Sequence, residues 1–228
     1  ISSGLVGSEM CIRDRFLIAL NNARALINSN IYKKILIISS DRGSIGRNPN
    51  EPESAALLGD GAAAILVEKE DASTNSFHYW KMNTWSSDAE LTEVRGGGTF
   101  KHPLDKNTEL NDNLFTMDGP AIYKSARKKA YKMVLDTFKK TNFNKEDVSW
   151  VIPHQASLKA INAYHEYGKF EKDRIINIVS KTGNCVAASM PMALVTAIKD
   201  GRVKRGDLLF FIGTCLLYTS PSPRDLMR

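Results

Sequence analysis

Between Phe16 and Thr214 the apolar positions alternate between two rhythms. FLIALNNARALINSN carries Phe16, Leu17, Leu20, Ala23 and Ile27 at helical spacing, and Asn28 to Asn30 end the pattern with turn formers. YKKILIISSD then gathers its apolar residues into Ile35 to Ile38, the short continuous run of a strand covered on both faces. DRGSIGRNPNEPE is a turn-rich loop. GDGAAAILVEKE follows as a second buried strand, whose small residues Gly61 to Ala64 admit a close neighbour. From Asp71 to Asn113 the pattern lapses into a polar excursion that contains RGGGTF at Arg95 to Phe100, a surface linker between two halves.

The second half repeats the rhythm. GPAIYKSARKKAYKMVLDTFKKTNF places Pro120 near a first turn and Ile122, Ala126, Ala130, Val134 and Phe138 along one face, which predicts a long amphipathic helix with a lysine-rich outer side. VSWVIPH predicts a strand, SLKAINAYHEYG a helix and IINIV a strand. MPMALVTAIKDG predicts a helix closed by Gly201, and DLLFFIG a last strand. Strands separated by crossover helices predict an α/β fold with largely parallel sheets, in which ligands gather where strands end.

Composition narrows the class. A chain of 228 residues with 43% hydrophobic content sustains a sizeable core. No apolar run nears the roughly 18 residues of a membrane span, and the start lacks the order of a signal peptide, so a cytoplasmic protein without membrane contact is expected. Three cysteines, Cys11, Cys185 and Cys215, suit neither a disulfide framework nor a metal site. The net charge of +6 suits an acidic protein or a phosphate-bearing ligand, and the diffuse basic residues do not suggest nucleic acid. Both ends, ISSGLVGSEMCIRDR and CLLYTSPSPRDLMR, lack periodicity and resemble translated adapter sequence. Residues 1–15 and 215–228 are therefore set aside as suspected artefacts, with 16–115 and 116–214 as the two halves and Cys185 as the one cysteine retained.

Two residues stand where strands end. His154 follows VSWVIP directly, and Asn184 follows Gly183 thirty positions later, ahead of a run of small residues leading into a helix. Alone, His154 is a histidine in the first turn of a helix. Together, a neutral imidazole and a carboxamide are donors that steady negative charge growing on a carbonyl oxygen. Cys185 reads as a small buried side chain and Asp60 as a turn residue. RGGGTF lacks the strand before and helix after that a phosphate cradle needs, and His78, His102 and His165 show no metal-ligand spacing.

PHQAS around His154, GNCVAASMPMAL around Asn184, GDGAAAILVE after Gly59 and GPAIYKSA after Gly119 together resemble the ketoacyl-acyl-carrier-protein synthase III family of the thiolase-like superfamily. The resemblance implies a layered αβαβα fold of two pseudo-repeated halves, incomplete over this chain. It implies a decarboxylating Claisen condensation of acyl-coenzyme A with malonyl-acyl-carrier protein, a coenzyme A thioester as substrate and no cofactor. His154 and Asn184 would be catalytic; Gln155, Ala156, Ser157, Leu158 and Lys159 would contact the acyl carrier protein. The first helix and the Ile35 to Ile38 strand would lie at the centre of a homodimer. The family's nucleophilic cysteine is expected a few residues before Phe16, where this chain reads Arg13, Asp14 and Arg15, with Cys11 at another spacing. That departure, and the lack of a terminal glycine-rich loop, imply an internal fragment without condensing activity of its own. Two other functions stay open: a related acyltransferase or hydrolase of specialised metabolism, and a catalytically silent carrier-binding or partner subunit.

Overall fold

In a computed structural model of the chain, the described residues are 15–69, 77–96, 101, 102 and 104–213. Cys11, Arg13 and Asp14, residues 97–100 of RGGGTF, and the tail from Thr214 lie outside them. Helix α1 runs over Arg15–Asn28 and buries Phe16, Ala23 and Ile27. Strand β1 (Lys34–Arg42) pairs with β2 (Asp60–Glu68), with the short helix α2 (Pro52–Leu57) between them. Two-residue strands β3 (Thr92–Glu93) and β4 (Thr116–Met117) pair antiparallel beside the polar excursion. Then come α3 (Gly119–Lys140), β5 (Trp150–Pro153), α4 (Leu158–Glu166), α5 (Val179–Thr182), α6 (Ser189–Lys199) and β6 (Leu209–Ile212). No helix among the described residues is long and apolar enough to cross a membrane.

The parallel sheets expected from the sequence hold only for β5 and β6, paired from Trp150↔Leu209 to Pro153↔Ile212. β1 and β2 are antiparallel, from Lys34↔Glu68 to Arg42↔Asp60. The physical reason lies in the 43–59 connection. It does not cross the sheet on a long helix, as a parallel return requires. Instead it bonds to the Asn184 loop and re-enters at the end it left. IINIV, expected as a strand, makes one parallel bridge, Val151↔Ile175, before α5 begins at Val179.

Packing sorts these elements into layers. Ala130 and Val134 of α3 and Ile161 of α4 meet Val151 and Ile212 on one face of β5–β6. Phe138, Phe170 and Phe210 stack in the same cluster, with ring centroids 5.6–6.1 Å apart. The opposite face packs Ile152 on Ala193 and Ala197 of α6. On the far side of that helical layer, Phe16, Ala23 and Met190 meet Ile37 of β1, with Ile65 and Val67 of β2 against them. The order is thus helix, sheet, helix, sheet, four layers of an αβαβα arrangement.

The sheet β1–β2 departs from the expectation that both its faces are covered. Its burial alternates strictly, so Ile35, Ile37, Ile65 and Val67 face the middle helices while Leu36, Ile38 and Leu66 stand 56–67% exposed. The described residues cover one face only. The outward residues are as apolar as the inward ones, which is why the sequence reads as doubly buried.

Two carboxylates tie the polar excursion to α3: Asp136, which pairs with Lys81, and Asp88. Asp88 accepts from Lys129 and Ser125 of α3 and from Ser87. The Lys129 bond, then the Ser125 bond, pull its pKa down to about 2. A depressed carboxyl contributes stability that is whole above its ordinary value of 3.8 and is lost as pH falls through about 2. Amide exchange over residues 85–94 should therefore accelerate as pH is lowered from about 4 to 2, beyond the intrinsic pH effect, and Asp88→Asn should show that acceleration already at pH 7. Unchanged protection in the variant would remove Asp88 as the tether.

Candidate active site

His154 is placed by the ladder it terminates. Its backbone N–H donates to Ile212 O at 2.9 Å, continuing the β5–β6 pairing one residue past Pro153, and its side chain is 4% exposed. Its carbonyl accepts from Ala156 N at 3.0 Å, which turns the chain. Ser157 then caps α4, its Oγ accepting from Ala160 N at 3.2 Å.

Gln155 corrects the sequence reading. Its side chain is fully buried. Nε2 donates to Pro153 O at 2.8 Å and Ile176 O at 3.1 Å, and Oε1 accepts from Ile178 N at 2.9 Å. A carboxamide used at both ends inside the protein does not reach a carrier protein at the surface. Of the five residues assigned to carrier contact, Ala156 and Ser157 are half-buried and only Leu158 and Lys159 are exposed.

Asn184 is placed from the other side. Gly183 turns the chain after α5 with φ +67°, a conformation that favours glycine. Asn184 N donates to Leu57 O at 2.7 Å, and Asn184 O accepts from Gly59 N at 3.0 Å. Its Oδ1 accepts from Val186 N at 3.0 Å and lies 3.5 Å from the Ser189 hydroxyl, which leaves Nδ2 as the donor end of the carboxamide. Gly59 is required by contact, since a Cβ there would stand 1.9 Å from Thr182 O. The two glycine motifs of the sequence are thus two loops packed back to back.

Sequence reasoning missed Asp41. It ends an apolar strand run, and its carboxylate accepts from Ala187 N at 2.9 Å and Ala188 N at 3.2 Å, just past Asn184. Burial pushes its pKa up, against the pull of those amides and of Arg15. Through Arg15 and Asp41 the start of α1 meets the turn that follows Asn184. Phe16 reinforces this, its ring centroid 6.1 Å from that of Phe211 in β6.

An apolar cleft joins these parts. Leu58, Phe115, Ile122, Ala126 and Ala160 line it together with Asn184, Ala156 and Ser157, around some 1010 Å³ of space partly open to solvent. His154 precedes that wall by two residues. Cys185 turns away from any nucleophilic role: it is fully buried, its thiol donates to Thr182 O at 3.4 Å, and burial, with Asp60 and Asp41 nearby, pushes its pKa up. Asp60, expected as a turn residue, is instead the exposed first residue of β2; it accepts from the Ser44 hydroxyl at 2.6 Å and the Ser44 amide at 2.8 Å, bonds that lower its pKa. His78 packs on Phe143, His102 accepts from Leu104 N, and His165 bonds to Phe170 O, so these three stay apart from the cleft.

Gln155→Ala should cost about 2–3 kcal/mol, because it strands three buried backbone groups and leaves a void. Gly59→Ala should displace the Asn184 loop and cost about 1–3 kcal/mol, while Gly119→Ala, whose Cβ meets only Met117 at 3.5 Å, should be tolerated. Denaturant unfolding of the three variants checks the order. A Gly59 variant as stable as the Gly119 variant would show that the two loops do not need their close contact.

Residues 14–85 match the family described as 3-Oxoacyl-[acyl-carrier-protein (ACP)] synthase III, and residues 138–216 match that described as its C terminal part. The beta-ketoacyl-[acyl-carrier-protein] synthase III of Vesicomyosocius okutanii is 31% identical over 199 residues, 87% of this chain and 59% of that protein. The protein of the same name from Rickettsia rickettsii is 30% identical over 209 residues, 90% of this chain and 63% of that protein. The crystal structure of 3-oxoacyl-[acyl-carrier-protein] synthase III from Aquifex aeolicus superposes with a TM-score of 0.75 at 29% identity, over 89% of this chain and 60% of that one. The chain spans about three fifths of the length of the curated relatives it matches. With its layered α/β fold and its paired loops, the chain belongs to the 3-oxoacyl-[acyl-carrier-protein] synthase III family.

Proposed function

We propose that the whole protein catalyses a decarboxylating Claisen condensation of an acyl-coenzyme A with malonyl-acyl-carrier protein, the initiating reaction of fatty acid synthesis. An acyl group passes from coenzyme A to a nucleophilic cysteine, and coenzyme A leaves as the thiol. The malonyl carboxylate then departs as carbon dioxide, its electron pair forming an enolate that attacks the acyl carbonyl and releases the cysteine thiolate. His154 and Asn184 donate to the enolate oxygen. The coenzyme A thioester is a substrate, and no resident cofactor is needed for these steps. The observation that supports this reading is the placement of Asn184 in the wall of an apolar cleft and of His154 two residues before that wall, on separate loops tied down by backbone bonds. Donors held before the charge develops need no reorganisation when it appears.

Three further parts belong to the reading. A nucleophile just ahead of α1 would stand at a helix N-terminus, which favours thiolate, and the start of α1 meets both Phe211 and the turn after Asn184. Leu158 and Lys159 would meet the acidic carrier protein, with Ala156 and Ser157 facing its arm in the cleft. The exposed apolar face of Leu36, Ile38 and Leu66 suits association as a homodimer in the cytoplasm. A catalytically silent partner would have no use for two oriented donors, and the names of the relatives favour the synthase.

In the whole protein, His154→Ala and Asn184→Ala should each lower malonyl decarboxylation on the order of 100 to 1,000-fold while leaving acyl transfer to the cysteine intact. Carbon dioxide release and radiolabelled acyl transfer are measured separately on each variant. Normal decarboxylation by the His154 variant would reduce that residue to a turn of the chain. Lys159→Glu should weaken use of the carrier protein and spare coenzyme A thioesters, because it alters the docking surface alone. Equal losses with both thioesters would contradict that assignment.

A further inference from the structure

Three non-glycine residues among those described take a positive φ. Asn30 and Lys169 do so just past α1 and α4, where the left-handed region commonly closes a helix. Val186, at φ +47°, does so ahead of α6, and it is β-branched, the side-chain type that this conformation strains most. Such a conformation persists only where its surroundings over-determine it, and it gathers where a local geometry is used. At Val186 the use is visible. Its amide donates to Asn184 Oδ1 at 3.0 Å, two residues back, and so fixes the rotation of the carboxamide whose Nδ2 is the donor.

The chain enters this turn well anchored, since the backbone of Asn184 bonds to Leu57 and Gly59. It leaves through Ala187 and Ala188 into α6, whose N-cap, Ala188, has no side-chain acceptor for the first amides. The helices α3 and α4 carry their own caps, Asp118 and Ser157. At α6 the acceptor comes from 146 residues away: one oxygen of Asp41, at the end of β1, accepts from Ala187 N at 2.9 Å and from Ala188 N at 3.2 Å. The Ala188 amide is shared with Cys185 O at 2.9 Å, so Ala187 N is the donor that depends on Asp41. The two amides that flank the Val186 Cα, its own and that of Ala187, are thus both held, one by Asn184 Oδ1 and the other by Asp41 Oδ2. Fixing both peptide planes fixes φ and ψ of the residue between them. A carboxylate does this more firmly than a neutral acceptor, because its hydrogen bonds are charge-assisted and the N-terminal end of a helix favours negative charge.

We infer that Asp41 is a positioning residue for Asn184: by holding the Ala187 amide, its carboxylate keeps Val186 in the strained conformation that aims the Asn184 carboxamide at the enolate oxygen. Its role rests on the donor function proposed above for Asn184. Asp41 is not among the residues that line the cleft, and it acts through two peptide groups without meeting the reacting atoms. A cap whose only task was to start α6 would have no need of the strained residue before it.

Amide exchange followed by nuclear magnetic resonance tests this role without any turnover. In Asp41→Ala the Val186 amide should exchange at least about tenfold faster and the Asn184 side-chain NH2 signals should shift, while Ile176 N, which bonds to Val151 O, keeps its rate. Asp41→Asn offers a neutral oxygen at the same place and should keep part of the protection; it serves alone should Asp41→Ala fail to fold, which circular dichroism checks. In the whole protein, Asp41→Ala should lower malonyl decarboxylation about 10 to 100-fold through kcat, with KM for malonyl-carrier protein and acyl transfer to the cysteine unchanged, because a misplaced donor loses rate and not binding. Val186→Gly removes the strain, so the same Asp41→Ala step should cost less in that background. Unchanged Val186 exchange in Asp41→Ala, or an equal loss of decarboxylation with and without Val186→Gly, would overturn the positioning role and leave Asp41 as a cap of α6. Faster exchange at Val186 in a whole protein that performs no condensation would leave the tie between Asp41 and Asn184 standing and remove the proposed reaction; condensation indifferent to Asp41 would do the reverse.

Discussion

Everything at the site depends on where one strand stops, and a single carboxamide decides that. Ile176 N donates to Val151 O, so residues 175–178 begin to pair beside β5 as their apolar sequence suggests. The next groups in line, Ile176 O and Ile178 N, are taken by the Gln155 side chain instead. A buried carboxamide left unpaired costs a few kcal/mol, and so do buried backbone groups without partners. Each deficit is met by the other. The segment leaves the sheet, α5 starts at Val179, and the chain arrives at Asn184. Because Gln155 also bonds to Pro153 O, the same side chain fixes the bend that carries His154. One residue thus bears on the spacing between the His154 and Asn184 loops, thirty residues apart.

The second constraint is the close approach of residues 57–59 to residues 182–184. Two backbone bonds and a glycine contact too tight for a Cβ hold the loops together, and Asp41 adds a carboxylate beneath the turn that follows. For Asp41 two effects compete. Amide donors and Arg15 favour its ionised form, burial opposes it, and the raised pKa says that burial wins. The carboxylate nonetheless holds the turn after Asn184 through the Ala187 and Ala188 amides. That division is usual where a local geometry matters more than its cost. It also explains the antiparallel return of β2, because a chain that must touch Asn184 before re-entering the sheet comes back at the end it left.

Much of this was legible in the residues. Helical spacing in FLIALNNARALINSN and GPAIYKSARKKAYK located α1 and α3, and the apolar runs located β1, β2, β5 and β6 to within a few residues. His154 was placed correctly at the end of β5, whereas Asn184, expected at a strand end, follows α5. Strand direction was not legible, because Ile35 to Ile38 reads the same in a parallel or an antiparallel pair. IINIV misled because a local apolar run says nothing of a side chain 21 residues away that will take its ladder bonds. Gln155 misled for the complementary reason: a polar residue in a loop motif reads as surface, and only tertiary contacts reveal that both ends of its amide are used inside.

What remains is why the proposed reaction would favour neutral donors at His154 and Asn184. A cation beside the enolate oxygen would stabilise the malonyl carboxylate too, and so hold the ground state as well as the transition state. Neutral donors distinguish the two better, since their hydrogen bonds strengthen as charge localises on the oxygen they face. On the proposed reaction, the carboxylate that leaves as carbon dioxide would gain from apolar surroundings that offer its charge no partner. The buried Asn184 and the alanine residues of the cleft wall would provide such surroundings. Arg127, stacked on the Tyr167 ring, is the one charged side chain among the residues that line the cleft. On the proposed reaction the apolar wall would therefore serve the step by leaving the departing carboxylate without a partner for its charge.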